Sequence, residues 1–171
     1  MRLKTNRILL LPVIAMLLAV VFGSCNVYRF RDVSIPPEVN TFKVYFIENK
    51  ATYINPQISP QLTDQLRQKI ATQTRLKQTN GDADWEITAT ITDYSFSTSG
   101  ISNQQSVTNR INVTVQIELN DLVKGVVTPL SVSRNFDFPS TQSIQQAEVA
   151  LLNDIIKGLS DDIFNRLFSN W

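Results

Sequence analysis

Residues 8–25, ILLLPVIAMLLAVVFGSC, constrain everything after them, because they decide which residues remain to fold and in which compartment. Three cations, Arg2, Lys4 and Arg7, precede this run. It holds about 15 apolar residues, the length of a secretory h-region and short of the ~20 that a membrane-spanning helix needs. It contains Pro12 and closes on Gly23 and Ser24, directly before the chain's single cysteine, Cys25. Residues 1–24 therefore read as a signal peptide and are set aside from the fold. With one cysteine no intramolecular disulfide can form, so packing alone must hold the rest together.

The tail Phe22-Gly23-Ser24-Cys25 resembles the lipobox of bacterial lipoproteins, with Phe22 where leucine is usual. The resemblance implies that the Cys25 thiol receives a diacylglycerol, that the peptide is cut before it, and that the new amine is acylated. The other reading is an ordinary signal peptide cleaved after Ser24, which leaves a free N-terminal thiol. An exported lone thiol would be reactive and without a partner. Acylation gives it a use, since each buried methylene adds ~0.8 kcal/mol and several chains hold a protein on a membrane almost permanently. The next residue is Asn26, not the aspartate that retains many Gram-negative lipoproteins in the inner membrane. By that analogy the address is the periplasmic face of the outer membrane.

Composition narrows the function. Removing residues 1–24 takes away three of the 16 Lys and Arg and none of the 15 Asp and Glu, leaving a small acidic excess. Such a balance argues against a nucleic-acid partner. The chain has no histidine, so zinc, haem and histidine-based nucleophilic catalysis lose their usual ligands and bases. Its five glycines form no phosphate-cradling loop. No catalytic residue, cofactor or metal site is expected. The paired acids Asp82/Asp84, in the turn NGDAD, and Asp161/Asp162, on the polar side of a late helix, read as solvated charge. A hydrolase using carboxylates alone is disfavoured, because the acids are scattered and none is seen within an apolar run.

Residues 25–40 read as a tether, with Tyr28, Arg29, Phe30 and Arg31 ahead of the helix-forbidding Pro36-Pro37. Residues 41–48, TFKVYFIE, alternate as a strand with Phe42, Val44 and Phe46 inward. Ser59 and Pro60 have the character of an N-cap and first helical residue, and Leu62, Leu66 and Ile70 face one way on a helix expected to reach Lys77. A strand follows with Trp85, Ile87, Ala89 and Ile91 on one face, then Tyr94 and Phe96 on the opposite parity. That shift predicts a β-bulge near Thr92 and Asp93. Residues 97–106 are polar and read as a loop. Residues 107–119 place apolar side chains on odd positions, with Asn109 the polar exception. After a turn, residues 126–138 align Leu130, Val132, Phe136 and Phe138 with Arg134, and Pro129 predicts an edge position. Ser143 and Gln146 have capping-box spacing. A long apolar stripe from Ile144 to Phe168 predicts a helix, with Gly158 a candidate kink.

The order β-α-β-β-β-α predicts an α+β two-layer sandwich in one domain, residues 41–171. Two helices pack on one face of a four-stranded mixed sheet, with the last three strands an antiparallel meander. The other face carries Thr, Asn, Gln, Glu and Ser, polar but nearly uncharged.

Order and spacing together give a wider likeness. The lipobox, SIPP at 34–37, TFKVYF, the NP and SP pairs before the first helix, QTRL at 73–76, WEITATITDYSF, NRINVTVQIEL and the closing DDIFNRLFSNW resemble the LptE family. These are the lipopolysaccharide-assembly lipoproteins of Gram-negative outer membranes. The resemblance implies two helices on a four-stranded sheet, insertion into the lumen of the β-barrel LptD as plug and assembly partner, contact with lipopolysaccharide, and no catalysed reaction. Contacts to lipopolysaccharide are basic in such a family, since the ligand carries phosphates and acidic sugars. Arg110, Lys124 and Arg134, on or near the central strands and their turn, are the candidates here. The competing reading is a periplasmic lipoprotein adaptor that activates a cell-wall synthase.

Overall fold

The computed structural model describes residues 35–102 and 105–169, without the side chains of residues 99, 101, 102 and 105–107. The signal peptide, Cys25 and most of the tether lie outside the described residues. In chain order the elements are β1 (Thr41–Val44), β2 (Glu48–Asn49), α1 (Ile58–Gln73), β3 (Lys77–Gln78), β4 (Trp85–Ser102), β5 (Gln105–Asp121), β6 (Val126–Pro139) and α2 (Ile144–Phe168). The sheet runs β3-β1-β4-β5-β6, with β2 also on β4. The α+β class and the two helices are as expected, while the sheet has six strands instead of four. The additional two, β2 and β3, are two residues each.

α1 is a crossover that leaves β1 parallel to β4, and β4, β5 and β6 form the antiparallel meander. Ile111, Val113, Val115 and Ile117 are buried, so the odd positions of β5 face the helices. Each such side chain stabilises the fold by roughly 1.5–3 kcal/mol relative to exposure. The bulge appears where the parity of β4 changes: Ile91 pairs with Val115 and Asp93 with Thr114, so two residues oppose one. Tyr94 thereby stays in the core. β6 is an edge strand, as Pro129 demands of a residue with no N–H to donate. The capping box of α2 is present, with Ser143 Oγ accepting from Gln146 N–H at 3.2 Å and Gln146 Oε1 accepting from Ser143 N–H at 3.1 Å.

Other expectations are corrected. Residues 41–48 are not one alternating strand. Val44 pairs with Ile87 and Glu48 with Thr90, so this edge carries one residue more than β4 across the same span. The extra residue flips the parity: Phe46 is 55 % exposed and Ile47 is fully buried. α1 satisfies the interrupted backbone, its Arg67 guanidinium donating to Val44 C=O at 2.8 and 3.1 Å and its Thr63 hydroxyl accepting from Ile47 N–H at 3.0 Å.

α1 begins at Ile58 without a side-chain cap. Ser59 is buried inside the first turn, and Asn55 organises the entry by accepting Gln57 N–H on Oδ1 at 3.0 Å. The helix stops at Gln73, not Lys77. The Thr74 hydroxyl donates to Ile70 C=O at 2.8 Å and accepts Leu76 N–H at 3.1 Å. Leu76 turns into the core and Lys77 is released to pair with Thr41. Residues 97–102 and 105–106 are strand and not loop, because β4 and β5 continue pairing through them with register shifts around Gly100. Pairing satisfies the backbone of a stretch that carries no charged residue.

Gly158 marks a close contact inside a helix that runs unbroken from Ile144 to Phe168. A Cβ there would stand 3.0 Å from Cδ and Nε of Arg134.

Candidate functional site

The sheet surface turned away from the helices is a row of polar side chains from three strands. β4 contributes Glu86, Thr88 and Thr90, and beyond its bulge Asp93, Ser95 and Ser97. β5 contributes Arg110, Asn112, Thr114, Gln116 and Glu118, and β6 contributes Ser131, Ser133, Asn135 and Asp137, paired across the strands in register. These groups bond to one another. Asn112 Nδ2 donates to Ser97 Oγ at 3.1 Å, Thr114 and Ser133 hydroxyls meet at 3.1 Å, and Ser95 Oγ donates to Asp93 at 2.9 Å. A shallow hollow of about 570 Å³ lies at one margin, lined among others by Tyr45, Phe46, Thr88, Gln116 and Glu118. The bulge after Val44 is what sends Phe46 outward beside Tyr45. Tyr45 O–H donates to Glu86 at 3.0 Å and Lys43 Nζ lies 4.8 Å over the Tyr45 ring.

The three sequence-nominated cations are not brought together. Arg110 is on this open face and forks onto Asp137, Nε to Oδ1 at 2.6 Å and Nη2 to Oδ2 at 3.0 Å. The hydrogen-bonded carboxylate holds the guanidinium's pKa above its ordinary value. Lys124 is exposed in the β5–β6 turn, at the other end of β5. Arg134 faces the helices, where Nη1 donates to Gly158 C=O at 3.0 Å and to Asp162 at 2.9 Å.

The paired acids also have work that the sequence reading assigned to solvent. Lys69 bonds Asp161 at 2.6 Å, joining α1 to α2, while Asp162 receives Arg134 and joins α2 to β6. Asp84 Oδ2 accepts Asn40 N–H at 2.8 Å, Thr41 N–H at 2.9 Å and the Thr41 hydroxyl at 2.9 Å. Those bonds, led by the Asn40 N–H, hold its carboxyl below the ordinary value.

One acid does lie within an apolar stripe, contrary to the sequence reading. Glu148 is buried on α2, accepting Tyr94 O–H and Asn55 Nδ2 on one oxygen, each at 3.0 Å, and Tyr53 O–H on the other at 2.9 Å. Tyr53, Tyr94 and Phe96 pack ring against ring around it, with centroids 5.1 to 5.7 Å apart. Burial and then the Glu148 charge push the Tyr94 hydroxyl far above its ordinary pKa. The hydrogen bond to Glu148, followed by burial, raises Tyr53. Three neutral donors satisfy the carboxylate and, among the described residues, no cation pairs with it, which makes the cluster a clasp between the Tyr53–Asn55 loop, β4 and α2. Its signal in the sequence is spacing, since Glu148 falls four residues after Ile144 and four before Leu152.

Among the described residues no three His, Cys, Asp or Glu side chains are grouped to hold a metal ion. No helix among them is long and apolar enough to cross a membrane. The architecture and its polar face can be set beside known proteins. The model of the LptE family, described as lipopolysaccharide-assembly, matches residues 39–167. The chain belongs to the LptE family.

The match spans the domain from the residue before Asn40 nearly to the end of α2, and so includes the open face, the Asp84 contacts and the Glu148 clasp. No curated protein matches the sequence. Among solved structures, PelC from Paraburkholderia phytofirmans, a dodecamer, is 12 % identical with a TM-score of 0.49 over 77 % of this chain and 90 % of its own. The rare lipoprotein B from Shewanella oneidensis is 12 % identical with a TM-score of 0.47, over 74 % and 92 %. Likenesses this distant carry nothing about the task of an LptE-family chain.

Proposed function

We propose that this LptE-family chain is held on the periplasmic face of the outer membrane by acyl chains on Cys25 and acts there as plug and assembly partner of an LptD-type β-barrel, catalysing no reaction. Family membership supports the general task, lipopolysaccharide assembly. The open sheet face supports the manner. The interior of a transmembrane β-barrel is polar, so a plug needs a surface that exchanges water for polar wall groups without stranding a charge. The face of β4, β5 and β6 suits this in large part: its outward groups are chiefly hydroxyls and amides, several of them bonded to one another, Arg110 is paired with Asp137, and Glu86 and Asp93 each accept a hydroxyl, which leaves Glu118 to meet a polar group of the wall. Those mutual bonds keep Ser95, Ser97, Asn112, Thr114 and Ser133 satisfied when water leaves, and the remaining hydroxyls and amides can bond the wall.

Contact with lipopolysaccharide, in this reading, uses Arg110, Lys124 and Arg134 as separate cations and not as one basic pocket. Lys124 is the freest to meet a phosphate, because Arg110 and Arg134 must first share or leave an acid partner. Co-purification of the acylated protein extracted from membranes tests the central claim. Retention of an LptD-type barrel supports it, retention of a peptidoglycan synthase supports the adaptor reading instead, and recovery with neither overturns it. Lipopolysaccharide binding that survives neutralisation of all three cations removes the ligand part.

A further inference from the structure

We infer that the tip of the β5–β6 hairpin is a second point of attachment to the lipid surface, beside the acyl anchor. The inference rests on the reading of Cys25 as acylated. Four exposed large apolar side chains lie within six residues there: Leu122, Val123, Val126 and Val127, each 45 to 58 % exposed. Lys124 is exposed among them, a cation suited to anionic headgroups.

The tip is built to hold such a position. Asp121, itself buried, accepts the N–H groups of Val123 and Lys124 on Oδ1 at 3.1 and 3.0 Å. Leu122 N–H donates to Asp84 C=O at 2.9 Å. Gly125 closes the turn at φ +66°, a left-handed conformation that glycine adopts at no steric cost. Three successive backbone donors are thus satisfied within the protein while the side chains point outward. That removes the main cost of taking a turn out of water, which is unpaired backbone.

What faces the tip follows from where the chain enters the domain. Asp84 ties the two together, its carboxylate gripping Asn40 and Thr41 and its carbonyl gripping Leu122. Phe42, Trp85, Asp121 and Val126 are successive neighbours across the sheet, so entry point and hairpin root are about 14 Å apart at ~4.8 Å per strand. Ile35 lies ten residues after Cys25, and ten extended residues reach at most ~36 Å. The chain's entry at Asn40 and Thr41 and the apolar tip therefore share one end of the sheet, and a tether of that length lets the tip meet the membrane that holds Cys25. Arg75 and Lys77 add exposed cations at this end, against the acids Glu38 and Asp82.

The test uses the acylated full chain in vesicles of phosphatidylethanolamine and phosphatidylglycerol, with a polarity-sensitive fluorophore on Val123→Cys or on Thr98→Cys. The second site is exposed at the opposite end of β4 and is the control. The expected result is blue-shifted emission at position 123 and several-fold stronger quenching by a lipid-borne nitroxide than at position 98. Protein that floats with the vesicles yet is quenched equally at both sites overturns the tip contact and leaves the anchor standing. Protein that does not float overturns the anchor and this inference with it. In native outer membranes, a photo-crosslinker at position 123 should yield lipid adducts; adducts to a protein overturn the inference in favour of a protein partner.

Discussion

Gly158 and Arg134 form a pair whose coupling can be worked out from the contact geometry. In a helix interior, glycine to alanine stabilises by about 1 kcal/mol, so Gly158→Ala considered alone should help. In this protein the new Cβ would stand 3.0 Å from Cδ and Nε of Arg134 and 3.1 Å from its Cζ. The arginine has to move. It would then give up its bond to Gly158 C=O and its pairing with Asp162. The pair is 42 % and 31 % exposed at its side chains, so solvent weakens it to about 0.2–1 kcal/mol. The bond to the carbonyl adds roughly 1 kcal/mol. The loss of about 1–2 kcal/mol then cancels or slightly exceeds the gain, and Gly158→Ala should be neutral to mildly destabilising. In an Arg134→Ala background the space is open and the same substitution should stabilise by about 1 kcal/mol. Urea unfolding of the domain, residues 33–171, followed by the fluorescence of Trp85 packed on Phe168, reads this as a midpoint shift of roughly 0.5 M with one sign in one background only. An equal effect of Gly158→Ala in both backgrounds refutes the coupling. Equal destabilisation in both would mean that the helix backbone itself requires glycine.

Tyr94→Phe should cost about 1.5–3 kcal/mol, the range for a hydrogen bond to a charged partner. It should also flatten the alkaline limb of stability. Because the folded-state pKa of Tyr94 is raised, the unfolded chain releases its proton first, and stability falls as pH climbs past the ordinary value of 10.0; an unchanged limb in chemical denaturation between neutral and strongly alkaline pH counts against the clasp. Asp84 has the opposite sign. Its pKa is held below 3.8, so its contribution is present above that value and disappears as pH falls through the folded-state pKa, and Asp84→Asn should lower stability at neutral pH while reducing acid sensitivity in a thermal melt series. Replacing residues 1–25 by a signal peptide that is cleaved without lipid attachment should leave the circular dichroism of the domain unchanged and release the protein into the soluble periplasmic fraction; finding such protein held as firmly as the natural chain on the membranes of cells without its barrel partner refutes acylation as the main anchor.

The elements the sequence revealed are those whose causes are local. Alternation in β4 and β5, the parity change at Thr92 and Asp93, the capping box at Ser143 and Gln146 and the edge position marked by Pro129 all depend on neighbours within a few residues. The bulge after Val44 escaped because both phases of alternation carry apolar residues there, Phe46 in one and Ile47 in the other. Only Thr63 and Arg67 of α1, 16 and 23 residues away, decide between them. The end of α1 was misjudged because Leu76 reads equally well as helix or core, and β3 exists only through pairing with Thr41. The clasp at Glu148 joins partners 54 to 95 residues apart, and the acid pairs find their cations across the interfaces of α1, α2 and β6. The open face was legible as a polar surface, but the structure brings Glu86, Asp93, Arg110, Glu118 and Asp137 onto it where the sequence suggested almost no charge. What it did not disclose was the self-pairing of its groups, since that depends on register between strands.

The parallel placement of β1 beside β4 has a mechanical consequence. β1 lies between β3 and β4 within the sheet, and its first residue is gripped by Asp84. Tension on the chain ahead of Ile35 would draw β1 lengthwise past its neighbours, so that its ladder bonds share the load in shear. An outer hairpin pulled from its end would instead lose its bonds in succession, as a zipper does. Even a strand of four residues then resists as a set, and the weakest link under tension moves out of the folded domain and into the leader that carries it.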